Sequence, residues 1–94
     1  MNTLECLREK IDELDKNIVS LLEERFLVSK DIAKAKKELS KSVLCIKRED
    51  EVIKKNISYL KSSEFENNLI MIYNCIMRES KDIQNRENLI WSLD

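Results

Sequence analysis

The chain contains no glycine, no proline and no histidine. Tight turns, bulged strands and backbone cradles for phosphate lean on glycine, so dinucleotide-binding and P-loop readings are excluded at the level of motif. A long run without helix breakers favours a few long helices joined by short Ser, Asn and Asp connections. Without histidine, the usual general base and the commonest zinc ligand are both missing. Any chemistry must run on Arg, Lys, Glu, Asp, Gln and Ser. No window approaches 18 uninterrupted apolar residues, so no membrane span is expected. The chain opens on an acidic, charge-mixed helix rather than a basic segment and an apolar core, and no secretory leader is expected. Cys6, Cys45 and Cys75 fall at no metal-like or redox spacing. They read as reduced thiols of a cytoplasmic protein, and as packing residues rather than nucleophiles.

What is present is balanced. The 94 residues are 43% hydrophobic and 37% charged, with a net charge of −1. That is too apolar for a disordered chain, and a length of one domain at most, residues 1–94. Lysines are offset by nearby glutamates, so no nucleic-acid partner is expected.

Three helices account for the pattern. Leu4, Leu7, Ile11, Leu14, Ile18, Leu21, Arg25, Val28, Ile32, Ala35 and Leu39 recur in alternating steps of three and four. That spacing is a heptad seam and predicts a helix over 3–39, capped by Asn2 or Thr3. Residues 40–45 read as a connection. A second helix is expected over 46–61, with Ile46, Val52, Ile53, Ile57 and Leu60 as its apolar positions. A third is expected over 64–91. Ser63 and Glu66 form its capping box, and its stripe is Phe65, Leu69, Ile72, Ile76, Ile83 and Ile90, widened by Tyr73, Met77 and Trp91. A first helix of about 37 residues is roughly 55 Å long, whereas a compact monomer of this size has a radius of gyration of about 13 Å. Its leucine seam needs a partner along its length, and a homodimer with both long helices in one bundle is the economical solution.

The informative residues interrupt this pattern. Arg25 stands in the seam where Leu or Ile is expected, and a lone buried guanidinium is costly. Lys36 lies eleven positions on, which returns to within about 20° of the same direction and advances about 16 Å. Ser29 shares that side. Glu49 sits between Ile46 and Ile53 in the apolar register of the second helix, with Arg48 beside it. Ser80 and Gln84 are one turn apart on the third, on a face with Tyr73 and Met77. Together they supply cations, a carboxylate, a hydroxyl and an amide, a set suited to a small, oxygen-rich anion. Arg8 lies about 25 Å from Arg25 along the helix and about 100° around it, so it cannot share Arg25's pocket within one chain. In an antiparallel dimer it can close the partner's.

Each residue alone has a plainer reading. Arg25 is then a core-edge ion pair with Glu23, Glu24 or a partner carboxylate, and Lys36 and Arg8 are solvated surface. Glu49 charges a helix start, Ser80 is a small residue at a helix crossing, and Gln84 packs.

These motifs, in this order and spacing, resemble the all-helical chorismate mutases of the AroQ class across nearly the whole chain. The opening signature is Leu7-Arg8-Glu9-Lys10-Ile11-Asp12 followed by Leu14-Asp15. Leu21-Leu22 with Glu24-Arg25 is similar to the motif of the central arginine, and Ile32-Ala33-Lys34-Ala35-Lys36 to the run ending in the catalytic lysine. Ile46, Arg48 and Glu49 fit the start of the second helix, and Ser80 and Gln84 the polar pair of the third. The resemblance implies an all-α fold: a long first, short second and medium third helix, intertwined in a homodimer with two active sites. It implies conversion of chorismate to prephenate, toward phenylalanine or tyrosine, by a [3,3] rearrangement without cofactor or metal. Arg25 and the partner's Arg8 would clamp the two substrate carboxylates. Lys36 and Gln84 would donate to the ether oxygen, Glu49 would accept from the ring hydroxyl, and Arg48 and Ser80 would complete the pocket. Cys45 stands where family members often carry Asp at the entrance to the second helix, and is expected to tune the hydroxyl contacts. Lys47 replaces a frequently acidic position of no assigned role. No linker or added regulatory domain is expected, and so no feedback inhibition within this chain. Two alternatives stay open: isochorismate pyruvate lyase on the same fold, and a helical dimerisation or regulatory module with no activity.

Overall fold

The computed structural model describes residues 2–92. Three α-helices follow one another: α1 (Thr3–Glu38), α2 (Ile46–Ile57) and α3 (Glu66–Ser92), with a single 3-10 turn, Ser63–Phe65, leading into α3. Asn2 caps α1 by accepting the Glu5 amide on its side-chain oxygen at 2.8 Å, which satisfies one of the unpaired donors of the first turn.

The end of α1 takes a form that glycine usually serves. Ser40 adopts φ 56°, in the left-handed region. The Lys41 amide reaches back to the Lys36 carbonyl at 2.7 Å and the Ser40 amide to that of Lys37 at 3.1 Å. This is a Schellman turn built without glycine, and it reverses the chain at once. Residues 39–45 then carry it to α2.

Two boundaries differ from the sequence expectation by more than one residue, the end of α2 and the start of α3. α2 stops at Ile57, four residues early, because the amides of Ser58, Tyr59 and Leu60 turn back onto Lys54, Asn56 and Ile57 and close the helix. Before α3 it is Ser62 rather than Ser63 that caps, accepting the Glu64 amide, so the chain enters through a tight turn instead of a capping box.

α3 packs along the second half of α1, and α2 packs on α3. The buried face of α1 lies one position round from the heptad seam. It runs through Leu22, Phe26, Ser29 and Ala33, which are half-buried or buried, while Ala35 of the seam is exposed. Small Ser29 and Ala33 let the α3 backbone come close. α2 contributes Val52, not Ile46, which is exposed. On α3 the buried residues are Met77, Ser80 and Gln84; Leu69, Ile76 and Ile83 of the expected stripe are half-buried, whereas Ile72, and Phe65 in the turn before the helix, face outward. The side chains of Ile90 and Trp91 lie outside the described residues.

The resulting core is thin. Among the described residues its buried apolar members are Ala33, Val52 and Met77, joined by the polar Ser29, Ser80 and Gln84. Every residue from 2 to 21 is exposed, so the first half of α1 projects as a bare rod. The chain measures 57 × 28 × 15 Å with a radius of gyration of 16.9 Å, against about 13 Å for a compact chain of this size. Its accessible surface is 7821 Å², where a globular monomer of equal mass exposes about 5,700 Å².

Candidate active site

Where the three helices meet, they enclose a cavity of about 380 Å³. α1 supplies Arg25, Ser29 and Lys36, α2 supplies Arg48 and Glu49 with Cys45 just before it, and α3 supplies Ser80, Lys81 and Gln84. Val28, Ile32, Val43, Val52 and Met77 make the apolar part of the wall. All the candidate residues named from sequence line this one cavity except Arg8, which sits on the projecting half of α1, about 25 Å from Arg25 along the helix axis.

The cations are held in place. Arg25 Nη1 donates to Ser80 Oγ at 2.7 Å. Its guanidinium carbon lies 6.0 Å from the centre of the Tyr73 ring, within cation–π range. Arg25 thus bonds across to α3 rather than to the neighbouring Glu23 or Glu24. Ser29 Oγ turns back to the Arg25 carbonyl at 3.1 Å, which keeps its hydroxyl out of competition for the guanidinium. The other guanidinium N–H groups remain for a carboxylate, the planar ligand they fit best.

Lys36 is anchored twice. Its Nζ donates to the Val43 carbonyl at 2.8 Å and to Gln84 Oε1 at 3.1 Å. An ammonium has three donors, so one remains for a ligand. Because Gln84 presents its oxygen to Lys36, its NH2 group is the end left to donate into the cavity. Lys36 and Gln84 together therefore aim positive donors at one region, from a half-buried and a buried position. Glu49 Oε1 meets Lys81 Nζ at 2.7 Å. Arg48 leans outward toward Glu51 at 3.7 Å, with most of its side chain exposed.

Sequence reasoning missed Lys81 and the Val43 carbonyl. Lys81 carried a signal, since Met77, Ser80, Lys81 and Gln84 follow the three-four spacing of one helix face. A loop carbonyl carries none. The cavity is lined by four cations, Arg25, Lys36, Arg48 and Lys81, and one carboxylate, Glu49. It suits a small molecule with more than one negative charge, and its bound donors suit charge that develops on an oxygen.

The family model for chorismate mutase type II matches residues 7–85, a stretch that begins beside Arg8 and ends beside Gln84. The chain belongs to the type II chorismate mutase family. It is an enzyme, an isomerase that rearranges chorismate to prephenate in aromatic amino acid biosynthesis. The family functions as a dimer with a shared active site. Among solved structures, the chain is similar to a conserved hypothetical protein from Pyrococcus furiosus, at 37% identity and a TM-score of 0.73, over 89% of this chain and 97% of that one. No curated protein matches it. Among the described residues, no helix is long and apolar enough to cross a membrane.

Proposed function

We propose that this cavity is where chorismate is folded and rearranged, and that each named residue has one task there. Chorismate is a flexible dianion. Its [3,3] rearrangement breaks a C–O bond and forms a C–C bond within one molecule, with no nucleophile or proton transfer. The protein must hold the compact, diaxial, chair-like form and stabilise the negative charge that grows on the ether oxygen.

The observation that carries this reading is the Lys36–Gln84 bond at 3.1 Å. It orients an ammonium and an amide NH2 toward the same point before substrate arrives. These are the donors for the ether oxygen, and their contact strengthens as the C–O bond lengthens, so it raises the rate rather than only the affinity. Arg25, steadied by Ser80, takes one carboxylate. Glu49 accepts from the ring hydroxyl, with Cys45 at the rim beside it. Arg48 swings in from its exposed position when a carboxylate enters.

The second carboxylate falls to Arg8 of the partner subunit in an intertwined homodimer. Leu4, Leu7, Ile11, Leu14 and Ile18 are each more than half exposed in one chain, on a helix with too little core to support them. The excess surface of about 2,000 Å² is the scale of an obligate interface. A second long helix along that seam covers the leucines and brings an arginine from its far end to the open side of the cavity. The unpaired state of Cys6, Cys45 and Cys75 fits a reducing compartment, and we place the enzyme in the cytoplasm on that ground.

The test is direct. Purified protein is given chorismate, its loss is followed by absorbance, and the product is identified. Prephenate supports the reading, and chorismate that decays only at the rate of buffer overturns it. A parallel assay for pyruvate released from isochorismate separates rearrangement from elimination.

A further inference from the structure

Lys81 has no task in the account above, yet it lines the cavity. Its neighbours on α3 point elsewhere. The side chains of Arg78, Glu79 and Asp82 are 70%, 56% and 59% exposed and pair among the surface charges of α3. That of Lys81 is only 35% exposed, and its ammonium lies 2.7 Å from Glu49 Oε1, whose side chain is 29% exposed. An ion pair this short between two partly sheltered groups differs from the wide surface contacts elsewhere, such as Lys16–Glu13 at 3.9 Å with both side chains some three-quarters exposed. It also joins two elements, the first turn of α2 and the middle of α3.

We propose that Lys81 is a positioning residue for the substrate's ring hydroxyl, acting through Glu49. A glutamate has three side-chain torsions and two equivalent oxygens, so an unanchored one offers a hydroxyl many poor geometries. With Oε1 2.7 Å from the Lys81 ammonium, in an ion pair that leaves this buried oxygen without a hydrogen bond, the carboxylate is held in place and Oε1 is the oxygen left to accept. The ammonium also offsets the repulsion between the Glu49 carboxylate and a doubly negative ligand. Arg25, Lys36 and Arg48 border the same cavity, but Arg25 is engaged with Ser80, Lys36 with Val43 and Gln84, and Arg48 with Glu51. Lys81 is the cation in contact with Glu49. This inference rests on the reading of Glu49 as the acceptor of the ring hydroxyl, and its test is chosen to fail separately.

The experiment measures kcat and KM for wild type, Lys81→Met, Lys81→Gln, Lys81→Arg, Glu49→Gln and the double variant Lys81→Met/Glu49→Gln. Two substrates are used, chorismate and its analogue with hydrogen in place of the ring hydroxyl. Circular dichroism and thermal melting accompany each variant, and the Met and Gln replacements keep the side chain's length in case one of them fails to fold. On chorismate, Lys81→Met and Lys81→Gln lose about tenfold in kcat/KM, carried mainly by KM, as expected for one charge-assisted contact at a partly exposed site. Lys81→Arg recovers most of that loss. On the deoxy analogue the Lys81 variants match wild type, and the double variant on chorismate is no worse than Glu49→Gln alone. Equal losses on both substrates overturn the proposal, because Lys81 then acts on the substrate's charge directly. So does an additive double variant, or no loss at all. A wild type that discriminates between chorismate and the analogue while Glu49→Gln has no effect overturns the underlying reading of Glu49 instead.

Discussion

Lys36 on α1 and Gln84 on α3, 48 positions apart in sequence, meet through Nζ and Oε1 at 3.1 Å. Their union ties the two longest helices together at the cavity, and it decides which end of the amide faces a ligand. The catalytic consequences can be separated from the structural ones.

On the proposed mechanism, Lys36→Ala removes the ammonium that donates to the ether oxygen. Turnover of chorismate is expected to fall by about two to three orders of magnitude, the scale seen when one preorganised donor to a developing oxyanion is deleted. Sedimentation of the variant should match wild type, because Lys36 lies off the exposed leucine seam. Turnover within a few-fold of wild type would remove Lys36 from the mechanism.

Gln84→Glu replaces the NH2 donor with a group that donates only when protonated. Ionised, it would place a negative charge where negative charge must develop. The variant is therefore expected to be nearly inactive at neutral pH and to gain activity as pH falls, and a kcat/KM profile measured from neutral to acid pH reads this out. A profile parallel to wild type would show that the Gln84 side chain does not touch the reacting oxygen.

Arg8 and Arg25 give a test of sharing. If the two arginines share the substrate's carboxylates across a dimer as proposed, the Arg8→Ala and Arg25→Ala proteins should each be impaired by about a hundredfold or more, each leaving one carboxylate unpaired. Mixing the two by unfolding and refolding together forms hybrids in which one of the two sites carries both arginines. Activity well above either parent is expected in the mixture. Its absence would mean that Arg8 and Arg25 serve the same chain, or that Arg8 serves none.

Ser40 holds a backbone conformation that costs a residue with a Cβ about 1 kcal/mol. Ser40→Gly relieves this cost but loosens the unfolded chain, so a net gain of about 0.5 kcal/mol in urea unfolding is expected, with kcat unchanged. Destabilisation would mean that the serine side chain supports the turn.

The parts of this molecule that were legible from sequence are those where a periodic pattern is broken. Arg25 interrupts a run of aliphatic residues and Glu49 interrupts another, and both face the cavity. Three-helix order follows from the seam and from the absence of breakers. The seam was read as a face that needs a partner, and it is exposed in one chain; it gave no sign of which face of α1 packs within the chain. Its regular leucines mark a face left exposed here, while α3 chose the adjacent face at Ser29 and Ala33, where small side chains permit close approach. Hydrophobicity does not reveal that choice, because the buried face holds fewer large apolar residues than the exposed one. Lys81 lies among the solvated charges of α3, and only its three-four spacing with Met77 and Gln84 sets it apart from them. The stop of α2 at Ile57 was hidden, since the aliphatic pattern runs on to Leu60 after the hydrogen bonds have turned back.

The Schellman turn after α1 has one more consequence. The Lys36 carbonyl receives the Lys41 amide, and the Lys36 ammonium grips the Val43 carbonyl. One residue thus leashes the same short link from both its ends, main chain and side chain. An extra residue spliced in at Ser42 would slacken that leash while leaving every helix whole, and the damage would surface as slow turnover in a protein that melts normally. A stretch that passes for spare tether is a gauge block that spaces the Lys36 ammonium at the cavity.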